Sequence, residues 1–119
     1  MKLKHLIGLT VSALAGGAAP AQISSNEFIR EADKGGTSSN IVTAVVGGYG
    51  QGLMVANAEG IRMGNRPLFC VPRKLPLLPS QDVEMLRRYV KEHPKDGATP
   101  PSVVLLWAYQ STFPCSGER

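Results

Sequence analysis

Four glycines fall within the six residues GGYGQG, at Gly47, Gly48, Gly50 and Gly52, a density that suggests a phosphate-binding loop. The nucleotide-binding P-loop requires G-x-x-x-x-G-K-[ST], and no lysine or hydroxyl residue follows Gly52. The dinucleotide-binding loop requires a preceding strand and G-x-G-x-x-G, but position 53 is Leu53. The glycines therefore do not predict a nucleotide site.

Residues suited to hydrolytic catalysis are scarce. His93 is the only histidine after position 21, and no Ser-His-Asp or Cys-His set can be assembled around it. Glu59, Asp82 and Glu84 supply carboxylates. Two carboxylates form a catalytic pair only at a suitable separation, which the sequence does not specify. His93 precedes Pro94 at a predicted helix end, where a basic side chain is favourable against the helix dipole. We therefore predict that the protein is not an enzyme and needs no cofactor.

Residues 1–21 have the three parts of a secretory signal peptide. Two lysines precede an apolar run over residues 6–14, and small residues follow, ending in A-P-A at 19–21. The run is shorter than the roughly 18 to 20 residues of a transmembrane helix. We therefore predict cleavage before Gln22 and a periplasmic domain of residues 22–119 with no membrane anchor.

The charge of the exported domain is close to neutral. Two of the 13 basic residues lie in the predicted signal peptide, so the exported domain contains 11 basic and 9 acidic residues. Adjacent basic residues occur only at 73–74 and 87–88, so no stripe predicts binding to nucleic acid or to an anionic membrane. A chain of this length is expected to form one small domain with a thin core.

Cys70 and Cys115 are the only cysteines. In an oxidising compartment an even number of cysteines predicts a disulfide. Such a bond stabilises a small domain by roughly 3 to 4.7 kcal/mol in the chain-entropy model. A zinc site would need four clustered ligands, and the exported domain has a single histidine. We therefore predict a structural Cys70–Cys115 disulfide and no metal site.

The rest of the sequence predicts helices and no strand. Capping residues and glycine or proline stops delimit four helical segments, at about residues 25–35, 38–56, 80–93 and 99–114. The predicted caps of the first two are Ser25-Asn26 and Ser38-Ser39-Asn40. Residues 64–79 contain four prolines and are predicted to form a non-helical connection. The expected fold is all-α, a small bundle of about four helices with one disulfide.

Gly48 and Gly52 lie four residues apart in the second predicted helix. This spacing places both glycines on one helix face, where another backbone can approach closely, and each costs about 1 kcal/mol relative to alanine. We therefore predict that Gly48 and Gly52 mark a close helix contact.

Four motifs follow one another along residues 41–115. They are G-Y-x-x-G at 48–52, F-C-x-P at 69–72, V-x-x-x-R-x-Y-V-x-x-H-P at 83–94, and F-P-C at 113–115. In this order and spacing, the chain resembles the type VI secretion amidase immunity proteins of the Rap/Tai kind.

The resemblance implies a small all-α periplasmic domain that binds a secreted peptidoglycan amidase and blocks its active-site cleft, protecting the cell from this toxin. It also implies that two copies can form a homodimer. Family members commonly carry two further cysteines, one in the first helix and one two residues before the G-Y pair. The latter position is Val46 here, and residues 22–69 contain no cysteine, so a whole disulfide is absent.

A periplasmic stress or holdase chaperone of the small helical, disulfide-bonded type is the alternative function. Such chaperones rely on dense charge that titrates at roughly pH 2 to 4, whereas the nine acidic residues here are dispersed. A neighbouring gene for a secreted Cys-His amidase would favour the inhibitor.

An inhibitor that plugs a cleft needs a protruding segment whose shape is already held. Two segments qualify: residues 66–79, stiffened by prolines and tethered at Cys70, and residues 92–99. We expect the second to contact the partner, through His93, Lys95 and Asp96, because it is polar and narrow and lies between two helices.

Overall fold

The computed structural model describes residues 22–116, so the predicted signal peptide, residues 1–21, lies outside the described part of the chain. Its helices are α1 (Ser25–Asp33), α2 (Gly36–Arg62), α3 (Pro79–Glu92), the 3₁₀ helix η1 (Pro94–Ala98) and α4 (Pro101–Thr112). Within residues 22–116 there is no strand. The prediction of an all-α bundle of four main helices is confirmed.

The N-cap of α1 lies one residue before the predicted cap, Ser25. The side-chain oxygen of Ser24 accepts a hydrogen bond from the backbone N–H of Glu27 at 3.2 Å, which makes Ser24 the N-cap. Ser25 is buried instead and donates its hydroxyl to the carbonyl of Thr99 at 2.7 Å. Ser25 therefore fastens α1 to the segment that precedes α4.

Helix α2 is longer at both ends than predicted. It begins at Gly36, so the predicted cap at 38–40 lies inside the helix. Gly35 and Gly36 have φ angles of 74° and 57°, a backbone region that favours glycine, and they turn the chain from α1 into α2. The helix continues to Arg62 and ends before Gly64, at φ 92°.

Helices α3 and α4 each begin at a proline, Pro79 and Pro101, one residue from the predicted positions. Proline suits the first helical position because its φ is already helical and its missing N–H has no partner there. Each helix also ends as predicted, at a C-cap followed by a further proline: His93 after α3 and Phe113 after α4.

The connection between α2 and α3, residues 63–78, is non-helical as predicted. The side chain of Asn57 on α2 makes two hydrogen bonds to it. Asn57 donates to the carbonyl of Phe69 at 2.9 Å and accepts from the N–H of Leu68 at 2.6 Å. The predicted disulfide between Cys70 and Cys115 is confirmed, with the Cα atoms 5.0 Å apart. It spans a sequence separation of 45, for which the chain-entropy model gives about 4 kcal/mol.

The core lies where one face of each helix meets the connection. Its most completely buried large side chains are Val46 of α2, Leu86 of α3, Leu105 and Tyr109 of α4, and Phe69 of the connection. Helix α2 contacts α1, α3 and α4, and its most extensive contact is with α3.

By length and composition alone, α2 is also apolar enough to cross a membrane, and 22% of its most apolar window is buried. Its buried residues, Val42, Val46, Gly47 and Gly50, form the face against the other helices. The opposite face carries apolar side chains in the open, including Val55 at 68% exposure. Helix α2 is therefore a packed bundle helix with one uncovered apolar face.

The close helix contact predicted for Gly48 and Gly52 is wrong within this chain, since a Cβ at either position would have no atom within 4 Å. Two other glycines of the same cluster make the contact. A Cβ at Gly47 would lie 2.7 Å from Cβ of Pro79, and one at Gly50 would lie 2.6 Å from the Tyr109 hydroxyl. Spacings of three and four residues both define a helix face, and packing selects the face with Gly47 and Gly50.

We expect Gly50→Ala and Gly52→Ala to have opposite effects on stability. The added methyl group at Gly50 meets the buried Tyr109 hydroxyl and Asp82 carboxylate, so the free energy of unfolding should fall by about 1 to 3 kcal/mol. At Gly52 the methyl group contacts no other atom, and the gain in helix propensity should raise the free energy of unfolding by up to about 1 kcal/mol. Urea melts of dilute protein measure both. Equal melting of the two variants would contradict this assignment of the packed face.

Candidate functional site

The segment between α3 and α4, residues 93–99, which we call the η1 turn, is held in one shape by backbone hydrogen bonds. The N–H of Asp96 donates to the carbonyl of His93 at 2.9 Å, and the N–H of Thr99 donates to the carbonyl of Asp96 at 3.0 Å. The Thr99 carbonyl in turn accepts from both the N–H and the hydroxyl of Ser25, at 2.9 and 2.7 Å. The turn is therefore tied to α1 as well as to its flanking helices.

Gly97 allows the η1 turn to lie close to α1. It is buried, and a Cβ at this position would lie 2.6 Å from Cγ of Asn26. Only glycine allows this approach without displacing Asn26. The remaining members of the turn that were predicted to contact a partner face outward: His93 and Lys95 are exposed, and Asp96 is half-buried.

An aromatic hollow of about 550 Å³ lies beside the η1 turn. Its residues come from α3, the turn and α4: Tyr89, His93, Asp96, Trp107, Gln110 and Ser111. The His93 ring stacks on Tyr89 with centroids 4.0 Å apart, and the Tyr89 and Trp107 centroids are 6.3 Å apart. His93 and Tyr89 meet because they are four residues apart at the end of α3, on one helix face.

Asp96 connects the turn to the hollow electrostatically. Burial raises the pKa of the Tyr89 hydroxyl, and the nearby negative charge of Asp96 raises it further. The structure thus brings His93 and Asp96 together at the hollow and leaves Lys95 exposed next to them. Sequence reasoning included neither Tyr89 nor Trp107 in the site. The four-residue spacing of Tyr89 and His93 in the predicted helix could have indicated that the two rings lie side by side.

The second segment considered for partner contact, residues 66–79, is also held in place. Asn57 and the disulfide fasten its first part to α2 and α4. Its exposed side chains include three leucines, Leu68, Leu75 and Leu78, and three basic residues, Arg66, Arg73 and Lys74. It therefore offers apolar and positively charged contacts, whereas the η1 turn offers one charge of each sign beside aromatic side chains.

The three carboxylates considered for catalysis have separate partners. Glu59 pairs with Arg62 at 2.5 Å on α2, and Glu84 pairs with Arg87 at 3.2 Å on α3. Asp82 is buried in the core. Within residues 22–116, no three His, Cys, Asp or Glu side chains are grouped so that they could hold a metal ion.

Asp82 and Tyr109 form a buried polar pair where α2, α3 and α4 meet. The Tyr109 hydroxyl donates to Oδ1 of Asp82 at 2.5 Å, and Asp82 is only 2% exposed. Burial raises the pKa of Asp82 more strongly than the bond from Tyr109 lowers it. Burial and the Asp82 carboxylate both raise the pKa of Tyr109. Nothing in the sequence pattern paired these two residues, which are 27 positions apart.

A family model for Rap1a immunity proteins matches residues 24–115, from the N-cap of α1 to the second cysteine of the disulfide. The chain belongs to the Rap1a immunity protein family. The resemblance found in the sequence is thereby confirmed. No curated protein and no solved structure gave a match. Membership in the Rap1a family implies immunity to a secreted effector, and this family is not an enzyme family.

We expect the Asp82 carboxyl to make stability depend on pH. Because its folded pKa lies above the ordinary value of about 3.9, the folded protein retains this proton at a pH where the unfolded chain has lost it. The resulting stabilisation is present at low pH and is lost as pH rises through the folded pKa. The free energy of unfolding of the wild type, measured relative to Asp82→Asn by urea melts, should therefore fall from pH 4 upward. A difference that stays constant with pH would contradict the assignment.

Proposed function

We propose that this protein is a periplasmic immunity protein that binds and inhibits a peptidoglycan amidase delivered by a type VI secretion system. The match to the Rap1a immunity proteins over residues 24–115 carries the proposal. Two further observations support the location. Residues 1–21 have the pattern of a signal peptide, and a disulfide fits an oxidising compartment. An inhibitor in the periplasm would meet the effector where its cell-wall substrate lies.

The η1 turn and the aromatic hollow are the proposed effector-binding surface. A segment that is already held by hydrogen bonds loses little conformational entropy on binding, and the turn is bonded at both ends. Tyrosine and tryptophan are enriched among the residues that dominate binding energy, and Tyr89 and Trp107 line the hollow. In this arrangement the turn enters the amidase cleft, while the hollow receives a side chain from the rim of the cleft.

With a cognate amidase, we expect the double variant Lys95→Ala/Asp96→Ala to weaken binding at least about tenfold, since it removes both charges from the turn. The thermal midpoint should be nearly unchanged because Lys95 is exposed and the turn is held mainly by backbone bonds. Calorimetric titration measures the affinity, and hydrolysis of peptidoglycan fragments measures the inhibition.

A matched control lies at the end of α2, where Glu59→Ala/Arg62→Ala removes one exposed charge of each sign. This control should bind the amidase as the wild type does. Undiminished inhibition by Lys95→Ala/Asp96→Ala would move the contact to residues 66–79 or to a helix face. A protein that suppresses aggregation of unrelated proteins and inhibits no amidase would instead be a holdase chaperone.

We also propose that the uncovered face of α2 joins two copies of this chain in a homodimer. We call this face the α2 seam; its residues are Ile41, Val45, Gly48, Gly52 and Val55, at the alternating spacing of four and three residues that aligns one helix with another. The side chains of the seam are exposed, and the glycines have open space above them. The face is therefore apolar, narrow at its centre and accessible in a single chain.

The order of residues along the α2 seam supports a second copy as its occupant. Four of its five residues are symmetric about position 50, because Val45 and Val55 are each five residues away and Gly48 and Gly52 are each two away. Ile41 lies outside this symmetric part, since its counterpart is Glu59. In an antiparallel pair related by a two-fold axis, Val45 would face Val55 of the other copy and Gly48 would face Gly52. Such self-complementarity is what a two-fold interface requires.

We expect the wild type to sediment as a dimer and Val55→Asp as a monomer with an unchanged helical spectrum, because the charge would be buried only in the dimer. Met63→Asp is the matched control, since Met63 is 68% exposed, as is Val55, but lies outside the seam. A monomeric wild type, or equal dissociation of both variants, would contradict the dimer. Vesicle binding by the wild type that Val55→Asp abolishes would assign the face to a membrane instead.

A further inference from the structure

A second cavity, of about 230 Å³, lies beside α2 near the start of α3 and takes no part in the proposed effector surface. Its walls are largely apolar, formed by Met54, Val55, Leu77 and Pro79. The Asp82 carboxylate and the Tyr109 hydroxyl supply its buried polar groups. The cavity thus combines an apolar lining with one deeply set carboxylate.

One oxygen of this carboxylate is without a donor. Oδ1 of Asp82 accepts from Tyr109, whereas no group within residues 22–116 donates to Oδ2 or forms an ion pair with it. Every fully buried side-chain nitrogen or oxygen in this part of the chain has a hydrogen-bond partner. Oδ2 has none, so it is not fully enclosed, and Asp82 lines the cavity. Gly50 makes room for this arrangement, since a Cβ there would strike Oδ2.

A buried carboxylate is stabilised when a cation or a strong donor reaches it. Asp82 has no such cation among the described residues, and burial raises its pKa accordingly. A ligand that suits both the walls and the carboxylate has an apolar stem and a positively charged tip. The stem gains from burial against Met54, Val55 and Leu77, and the tip gains a charge-assisted hydrogen bond.

We propose that this cavity binds an alkylammonium group, with the ammonium on Oδ2 of Asp82 and the alkyl stem along the apolar walls. Two sources present this group: a lysine side chain of a partner protein and a free amine. The site uses neither the η1 turn nor the aromatic hollow, so it is independent of the proposed effector surface, and it shares only Val55 with the α2 seam.

The test is an NMR titration of the disulfide-bonded protein at pH 7 and constant ionic strength with n-butylammonium chloride, and with n-butanol as the uncharged control. We expect saturable shifts at the amides of Gly50, Gln51 and Asp82 with n-butylammonium, and binding of n-butanol at least about tenfold weaker, because it lacks the charge. Asp82→Asn should weaken n-butylammonium binding by a similar factor.

Two further variants keep the test decisive if Asp82→Asn does not fold. Glu92→Gln removes an exposed carboxylate from the same helix and should bind n-butylammonium as the wild type does. Gln51→Trp, at an exposed position on the wall of the cavity, should block binding while Asp82 is intact. Absence of saturable shifts, equal binding of n-butanol, or wild-type affinity in Gln51→Trp would overturn the proposal.

The source of the group is separated by comparing Nα-acetyl-lysine-N-methylamide, which mimics a lysine within a chain, with putrescine. Tighter binding of the lysine mimic at the same amides would identify a protein side chain as the occupant. Tighter binding of putrescine would identify a free amine.

Discussion

Tyr109 donates its hydroxyl hydrogen to Asp82 in the interior, and the packing of three helices depends on that bond. Asp82 on α3 and Tyr109 on α4 satisfy each other, where either group alone would be a buried polar atom without a partner. Gly50 on α2 lies against both, which allows α2 to approach them. The Tyr109 ring also meets Phe69 and Phe113 edge-on, at 5.0 and 6.1 Å, and both phenylalanines lie next to the disulfide in sequence or space.

Away from this centre, α1 is attached without a covalent link. Phe28 is buried and stacks on Tyr49 at 6.3 Å, and Ser25 bonds to Thr99. The ion pair of Asp33 with Arg87, at 2.6 Å, is largely exposed and adds little. Val46 of α2, where the resemblance implies a cysteine in other members, is fully buried. Apolar packing and the bonds of Ser25 to Thr99 thus hold α1 in place, and the same bonds hold the η1 turn in shape.

Sequence reasoning predicted those features that depend on local chemistry. Prolines located the starts of α3 and α4 to within one residue, and cysteine number predicted the disulfide. Where several residues satisfy the same local rule, it failed: Ser24 caps α1 instead of Ser25, and Gly47 and Gly50 pack instead of Gly48 and Gly52. The aromatic hollow depends on α3 lying beside α4, and the Asp82–Tyr109 pair depends on the same tertiary arrangement. Neither follows from helical periodicity.

The distribution of glycines on α2 shows how one helix can present two different faces. A glycine inside a helix costs about 1 kcal/mol relative to alanine, so four within six residues need compensation. Gly47 and Gly50 are compensated within the chain, by contact with Pro79 and with the buried polar pair. Gly48 and Gly52 have no such contact in one copy, although they interrupt an exposed apolar stripe at its centre. A second helix packed against that stripe would supply the missing compensation. Gly47 and Gly50 therefore support the fold of one chain, whereas Gly48 and Gly52 suit the proposed interface between two copies.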